Sequence, residues 1–288
     1  MEKVSVTISG VFLYVLSGNK FNGSAARHTV SHEPDPLERA VLHRCEIYRK
    51  SFPMTEIALP AYALRNLPVS KWARDQRLAI DVRTGTEFAV AIAAGIHPAR
   101  MTVHADRLTD SELRATANLA PGRVVVSSMS QIDLLASTVE HRTQGVVICV
   151  TDVNAPILTA VGTPKSGFRF DSNELDYAVR RTLAAKRLNL IGLHCDVGSE
   201  EHDFVSYPAA IGHMITEMTQ IRRHHRVVLT RLGLGGGRAV PSGNWTIELP
   251  ELASQIDESL DDACATLRYP RPLVVLSPGL TIVEHDAA

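Results

Sequence analysis

A chain of 288 residues with 45% hydrophobic and 21% charged side chains has the make-up of an ordinary folded domain, which excludes disorder and fibrous repeats. Thirty basic against 31 acidic residues leave a formal charge of -1, so no broad positive field exists to hold nucleic acid or an anionic membrane. The four cysteines, Cys45, Cys149, Cys195 and Cys264, lie far apart, without the close pairs of a zinc or redox motif, and read as buried free thiols.

The opening run to Gly18 has the length and apolarity of a signal peptide, but Glu2 beside Lys3 and the interrupting Ser and Thr give it strand-like alternation instead. No apolar run reaches the roughly 20 residues of a membrane-spanning helix. The expected location is therefore cytoplasmic, with neither nucleic acid nor membrane as partner. Residues 1–55 read as an N-terminal extension: a strand over Val11 to Leu16, a polar segment, and a helix from about Leu37 to Lys50.

From Glu56 onward, short β-branched runs alternate with longer stretches of helical periodicity, the pattern of βα units and a parallel sheet. The expected strands are Ile57 to Ala61, Leu78 to Val82, Met101 to His104, Arg123 to Ser127, Gly145 to Val150, Leu190 to Cys195, Val227 to Leu232 and Leu273 to Ser277. Between them, Thr86 to Ala94, Asp110 to Leu119, Ser130 to Val139, Ser172 to Ala185, Tyr207 to Arg223 and Leu249 to Leu267 have helical spacing. Thr109-Asp-Ser-Glu112 and Asp171-Ser-Asn-Glu174 carry capping side chains and early acids that mark helix starts. Eight such repeats close as a barrel or split into an open doubly wound sheet, and periodicity does not choose between them.

Two segments carry the candidate chemistry. Arg231-Leu-Gly-Leu-Gly-Gly-Gly-Arg238 follows the seventh expected strand, and its consecutive glycines Gly235, Gly236 and Gly237 allow backbone N–H groups to turn toward one anion. A phosphate suits that cradle, since barrels often bind phosphate after their last strands, whereas a plain turn needs the same glycines only for their dihedral angles. Gly192-Leu-His-Cys-Asp-Val-Gly-Ser199 ends the sixth strand; strand alternation points His194 and Asp196 into the same mouth, with Gly198 and Ser199 offering an N–H and a hydroxyl. Taken alone, His194 reads first as a hydrogen-bonded core histidine.

These segments join Tyr62-Ala-Leu-Arg-Asn66, Ile80-Asp-Val-Arg-Thr-Gly-Thr-Glu-Phe88, Val124-Val-Val-Ser-Ser128 and Ser277-Pro-Gly279 in an order and spacing that resembles the diaminopimelate decarboxylase family and its ornithine and arginine relatives. The resemblance runs from about Ala61 to the last strand and favours a (β/α)8 TIM barrel, 56–288, of the alanine-racemase type. It implies amino-acid decarboxylation with pyridoxal 5'-phosphate (PLP), a Schiff-base lysine after the first strand, a histidine stacked on the pyridine ring, and a glutamate on the ring nitrogen. It also implies a C-terminal β domain, which this chain, ending at Ala288, is expected to lack.

On those positions the sequence departs from the family. Arg65 stands where the lysine would be, and a guanidinium stays protonated and cannot act as the amine nucleophile. Lys71, beyond Pro68, is the nearest substitute. Asp196 stands at the ring-stacking histidine, Ser277 at the glutamate and Leu280 at the arginine of that last motif; Asp81 is kept. The expectation is a catalytically impaired decarboxylase-like barrel that retains an anion pocket of His194, Gly198, Ser199 and Gly235 to Gly237. Its ligand would be a small phosphorylated molecule or PLP, non-covalent if bound, and its partner a second copy or an active homologue. An active decarboxylase completed by a separate C-terminal half is the alternative.

Overall fold

Short strands whose inner and outer faces are both buried alternate from Glu56 with helices that cover the outer face, and this repeat sets the architecture. The structure, a computed structural model, describes residues 5–8, 11–14, 36–151, 167–197, 207–235 and 245–279. A hairpin of β1 (Ser5–Ile8) and β2 (Val11–Tyr14) is followed by α1 (Pro36–Ser51). The repeat then runs β3 (Glu56–Pro60), α2 (Leu67–Asp75), β4 (Ala79–Val82), α3 (Gly85–Ala93), β5 (Met101–His104), α4 (Asp110–Asn118), β6 (Arg123–Val126), α5 (Met129–Thr138) and β7 (Gln144–Thr151). After the two-residue β8 (Phe168–Arg169) come α6 (Asn173–Ala184), β9 (Leu188–Asp196), α7 (Tyr207–His225), β10 (Arg231–Gly235), α8 (Trp245–Leu267) and β11 (Leu273–Leu276).

Eight of these strands pair in parallel in the closed order β3-β4-β5-β6-β7-β9-β10-β11 and back to β3, with β8 appended to β7. This is the (β/α)8 barrel that the motifs implied, not an open sheet. Strand alternation divides the apolar residues. Leu59, Ile80, Val103, Val124, Ile148, Leu193, Leu232 and Leu276 face outward into one core shared with Phe88, Leu113, Leu135, Leu175, Met214 and Leu260 of the helices. Each such side chain, fully buried, contributes about 1.5–3 kcal/mol. Inside the barrel, Ala58, Ala79 and Val275 form one small group and Val125, Val147 and Cys149 another. Val41, Cys45, Tyr48 and Phe52 of α1 and its end join the outer core.

The helix starts follow their caps. Thr109 and Glu112 form a reciprocal capping box on α4, and Ser172 accepts from the Leu175 N–H at the start of α6. One strand differs from its expected place: the seventh lies at Arg231–Gly235 and not at Val227 to Leu232. The backbone of Leu229, although β-branched residues precede it, is held at both its N–H and its carbonyl by the Tyr269 hydroxyl, at 2.7 and 2.9 Å, instead of by a neighbouring strand. Gly235 is consequently a strand residue and not part of a loop. The last helix begins four residues before the expected Leu249 and runs through Pro250.

Candidate functional site

The inward residues at the C-terminal ends of β4, β5 and β9 are polar, and they meet. Asp81 of β4 is buried; His104 of β5 donates to its Oδ1 from Nε2 at 2.6 Å. His194 of β9 is also buried and reaches Asp196 Oδ1 from Nε2 at 3.0 Å. The two imidazoles lie edge to face, with ring centroids 4.8 Å apart. Arg83, one residue past β4, joins both halves: Nε donates to Asp81 Oδ2 at 3.2 Å, while Nη2 and Nη1 donate to Asp196 Oδ1 at 3.2 Å and Oδ2 at 3.3 Å.

Local structure fixes Arg83 in that place. Thr84 caps α3 by accepting from the Glu87 N–H, and Glu87 returns a carboxylate oxygen to the Arg83 N–H at 2.6 Å. The backbone of Arg83 is thereby tied to the start of a helix as its side chain extends into the mouth. Two glycines make room opposite. A Cβ on Gly233 would lie 2.5 Å from His194 Nδ1, and one on Gly235 would lie 2.9 Å from Asp196 Oδ1. At these positions the glycines serve the close approach of His194 and Asp196.

The charges of the group are strongly coupled. Burial by itself would raise the Asp81 carboxyl, but His104 and Arg83 outweigh it and hold the group well below the usual carboxylate range. At Asp196 burial is likewise outweighed, chiefly by Arg83, and the pKa is again lowered. Burial would lower the Arg83 pKa, yet Asp196 and Asp81 raise it. His194 goes the other way: its burial depresses the imidazole pKa and keeps the ring neutral despite Asp196. Tyr207, at the start of α7, has its hydroxyl pushed up to about 12 by burial and the charge of Asp196, and that hydroxyl has no hydrogen-bond partner among the described residues.

Of the residues singled out by sequence, Asp81, His194 and Asp196 are thus in one connected group, with Gly235 paired beside Asp196 on the neighbouring strand. Ser277 is buried just past β11, its N–H bonded to the Leu234 carbonyl at 2.8 Å, and it lines a small interior space with His194, Gly233 and Thr102. Arg65 does not join them. It closes a 3-10 turn, Ala61–Arg65, after β3, is exposed, and lays its guanidinium over the Tyr62 ring at 4.8 Å. Lys71 is an exposed residue of α2. Gly198, Ser199, Gly236, Gly237 and Leu280 lie outside the described residues, and so does any anion cradle they form. Sequence reading missed His104 and Tyr207 and quoted Arg83 only as a motif position. The available signal was a strand ending Asp81-Val82 and followed at once by Arg83, beside another ending in His104, with Asp81 and His104 both pointing inward by alternation.

No described helix is long and apolar enough to cross a membrane, and no three His, Cys, Asp or Glu residues among those described are grouped to hold a metal ion. Residues 38–284 match the family model described as pyridoxal-dependent decarboxylase, pyridoxal binding domain. A diaminopimelate decarboxylase of Actinosynnema pretiosum is 30% identical over 255 residues, covering 86% of this chain and 57% of the relative. That of Mycobacterium tuberculosis is 30% identical over 228 residues, covering 74% of this chain and 51% of the relative. The chain thus spans between half and three-fifths of the length of these relatives. Among solved structures, diaminopimelate decarboxylase from M. jannaschii superposes with a TM-score of 0.72 at 18% identity, covering 84% of this chain and 59% of that one. The arginine decarboxylase of Paramecium bursaria Chlorella virus, bound to agmatine, gives 0.69 at 17%, covering 86% and 63%. At such identities the superpositions establish the barrel, while the sequence matches establish descent: the chain belongs to the pyridoxal-dependent decarboxylases, through the family's pyridoxal-binding barrel domain.

Proposed function

We propose that this barrel is a member of the family that does not decarboxylate amino acids and that acts by binding, as a ligand-holding or regulatory domain. The observation that carries the reading is Arg65. The resemblance puts the cofactor's amine at that position, and here the side chain is a guanidinium turned outward onto Tyr62. An arginine does not supply the neutral amine that bonds to an aldehyde. Bound PLP supplies an electron sink for decarboxylation. The residues present do not fit that use of it: position 196 offers a carboxylate already gripped by Arg83 where the family has a flat ring, and position 277 offers a hydroxyl where the family has an anion.

Any PLP on this chain is accordingly held without a covalent bond to residue 65. The partner we assign is a second copy or an active homologue. The compartment we assign is the cytoplasm, in keeping with four buried cysteines that form no disulfide with one another. Residues 1–55 form an extension on the barrel 56–288 in this assignment.

The test is CO2 release from diaminopimelate, ornithine, arginine and lysine with excess PLP. The wild type and Arg65→Lys are assayed alone and mixed with the C-terminal half of an active homologue, beside that intact homologue. No turnover is expected from the wild type or Arg65→Lys, alone or mixed, because the lost groups act as a unit and restoring one does not restore the rest. Turnover by the wild type near the control rate, alone or in the mixture, overturns the reading. Turnover by Arg65→Lys alone shows that position 65 is the whole of the defect.

A further inference from the structure

The two aspartates stand on opposite walls. In the closed order of eight strands β4 is second and β9 sixth, so half the ring separates Asp81 from Asp196 by either route. Arg83 leaves the end of β4 and reaches Asp196 with both terminal nitrogens while its Nε remains on Asp81. Its side chain therefore crosses the mouth of the barrel. All three nitrogens of the fork donate to carboxylates, and the two-pronged face that would grip a phosphate is occupied by Asp196. Beside this bridge, His104 and His194 touch edge to face from β5 and β9.

We propose that Arg83 closes this mouth to PLP, standing as an internal ion pair where the family's domain takes its cofactor. The inference rests on the reading above for the place of the cofactor and goes beyond it, since a barrel unable to decarboxylate could still bind PLP. Charge acts in the same direction as volume. Asp81 and Asp196 already face the guanidinium, so an entering phosphate meets two carboxylates and an arginine that is engaged by both of them.

The experiment is a PLP titration of the full chain, read by equilibrium dialysis and by melting temperature, since a ligand that binds only the folded state raises the latter. The wild type is compared with Arg83→Met/Asp196→Asn, which removes both charges of the cross-barrel pair and leaves Asp81 with His104 as its partner. The wild type is expected to show no saturable retention of PLP and no PLP-dependent rise in melting temperature. The double variant, once circular dichroism shows it folded, is expected to bind PLP about tenfold tighter or more. Saturable binding by the wild type overturns the proposal, as does a folded double variant with no gain. Should the double variant not fold, the wild-type titration decides. Binding without CO2 release sinks this inference and leaves the proposed function standing; CO2 release sinks the proposed function.

Discussion

The barrel carries an ionic cluster at each end of its interior, and the two are built with opposite proportions. At the N-terminal end Glu56 of β3 lies between Arg123 of β6 and Arg231 of β10, with Arg231 donating at 3.0 Å and Arg123 also donating to Thr102 at 2.6 Å. At the C-terminal end one arginine serves two aspartates, and two buried histidines complete the group. Between them the barrel is filled by small apolar side chains such as Ala58, Ala79, Val125 and Val147. In the lower cluster the shared carboxylate keeps a partner if one arginine is lost. In the upper one a single arginine bridges both aspartates, and each aspartate is otherwise left with one histidine. Charged groups at the lower end of such barrels serve stability, whereas the upper end is where ligands are handled. Here the upper end is built to depend on Arg83.

That asymmetry predicts unequal losses. Arg83→Ala leaves two carboxylates without their guanidinium, and removing one partner of a buried pair costs about 3–5 kcal/mol; about 3 is expected, because Asp196 retains solvent contact. Arg123→Ala leaves Glu56 paired with Arg231 and forfeits one bond to Thr102, a loss of about 1–3 kcal/mol. Urea unfolding of the two variants at neutral pH measures the difference. Equal losses, or the reverse order, would break the comparison.

The pH dependence sharpens it. Asp81 and Asp196 have folded pKa values below the ordinary aspartate value, so below about pH 4 the unfolded chain takes up protons that the folded mouth refuses, and stability falls. His194, depressed by burial, has the same sign at higher pH: from about pH 6.5 downward the unfolded histidine protonates before the folded one. Melting temperature should thus decline below about pH 6.5 and again, more steeply, below about pH 4. Asp196→Asn removes one contributor to the acid limb, so its curve and that of the wild type, separate at neutral pH, should converge in acid. Parallel curves down to about pH 3 would show that Asp196 is not held ionised by Arg83.

The fold was legible where local chemistry and tertiary packing agree. Eight β-branched runs and the capping groups at Thr109 and Ser172 placed the repeats and several helix starts. Helix ends were less legible because most lack the usual glycine: Arg77, Ala120, Arg226 and Arg268 take left-handed φ values of 53, 58, 60 and 50° after α2, α4, α7 and α8. The strand at Arg231–Gly235 was displaced because an aromatic hydroxyl forty residues away, on Tyr269, takes the backbone of Leu229. Of the site, alternation along β9 correctly sent His194 and Asp196 inward. What it did not reveal is that Asp196 has a cation facing it from across the barrel, because closure of the sheet, not sequence spacing, brings residue 83 to residue 196.

The smallest effect concerns the glycines opposite the cluster and separates a packing role from a flexible-turn role. Gly233 sits in β10 with its missing side chain facing inward, where an added Cβ would lie 2.5 Å from His194 Nδ1 and 3.2 Å from Cγ. The atoms it meets belong to a ring packed on His104 and hydrogen-bonded to Asp196, so they do not move aside without disturbing both. Gly233→Ala should then cost about 1–3 kcal/mol, as overpacking does. Gly212 in α7 is the control: nothing lies within 4 Å of its added Cβ, and Gly212→Ala should stabilise by about 0.5–1 kcal/mol through helix propensity. Because His194 is the obstacle, His194→Ala should relieve the clash, and the double variant should be more stable than the sum of the two single losses predicts. That positive coupling, read from a double-mutant cycle in urea, is the decisive quantity. Strict additivity would mean that Gly233 is required by its own backbone, and that the upper cluster does not rest against β10.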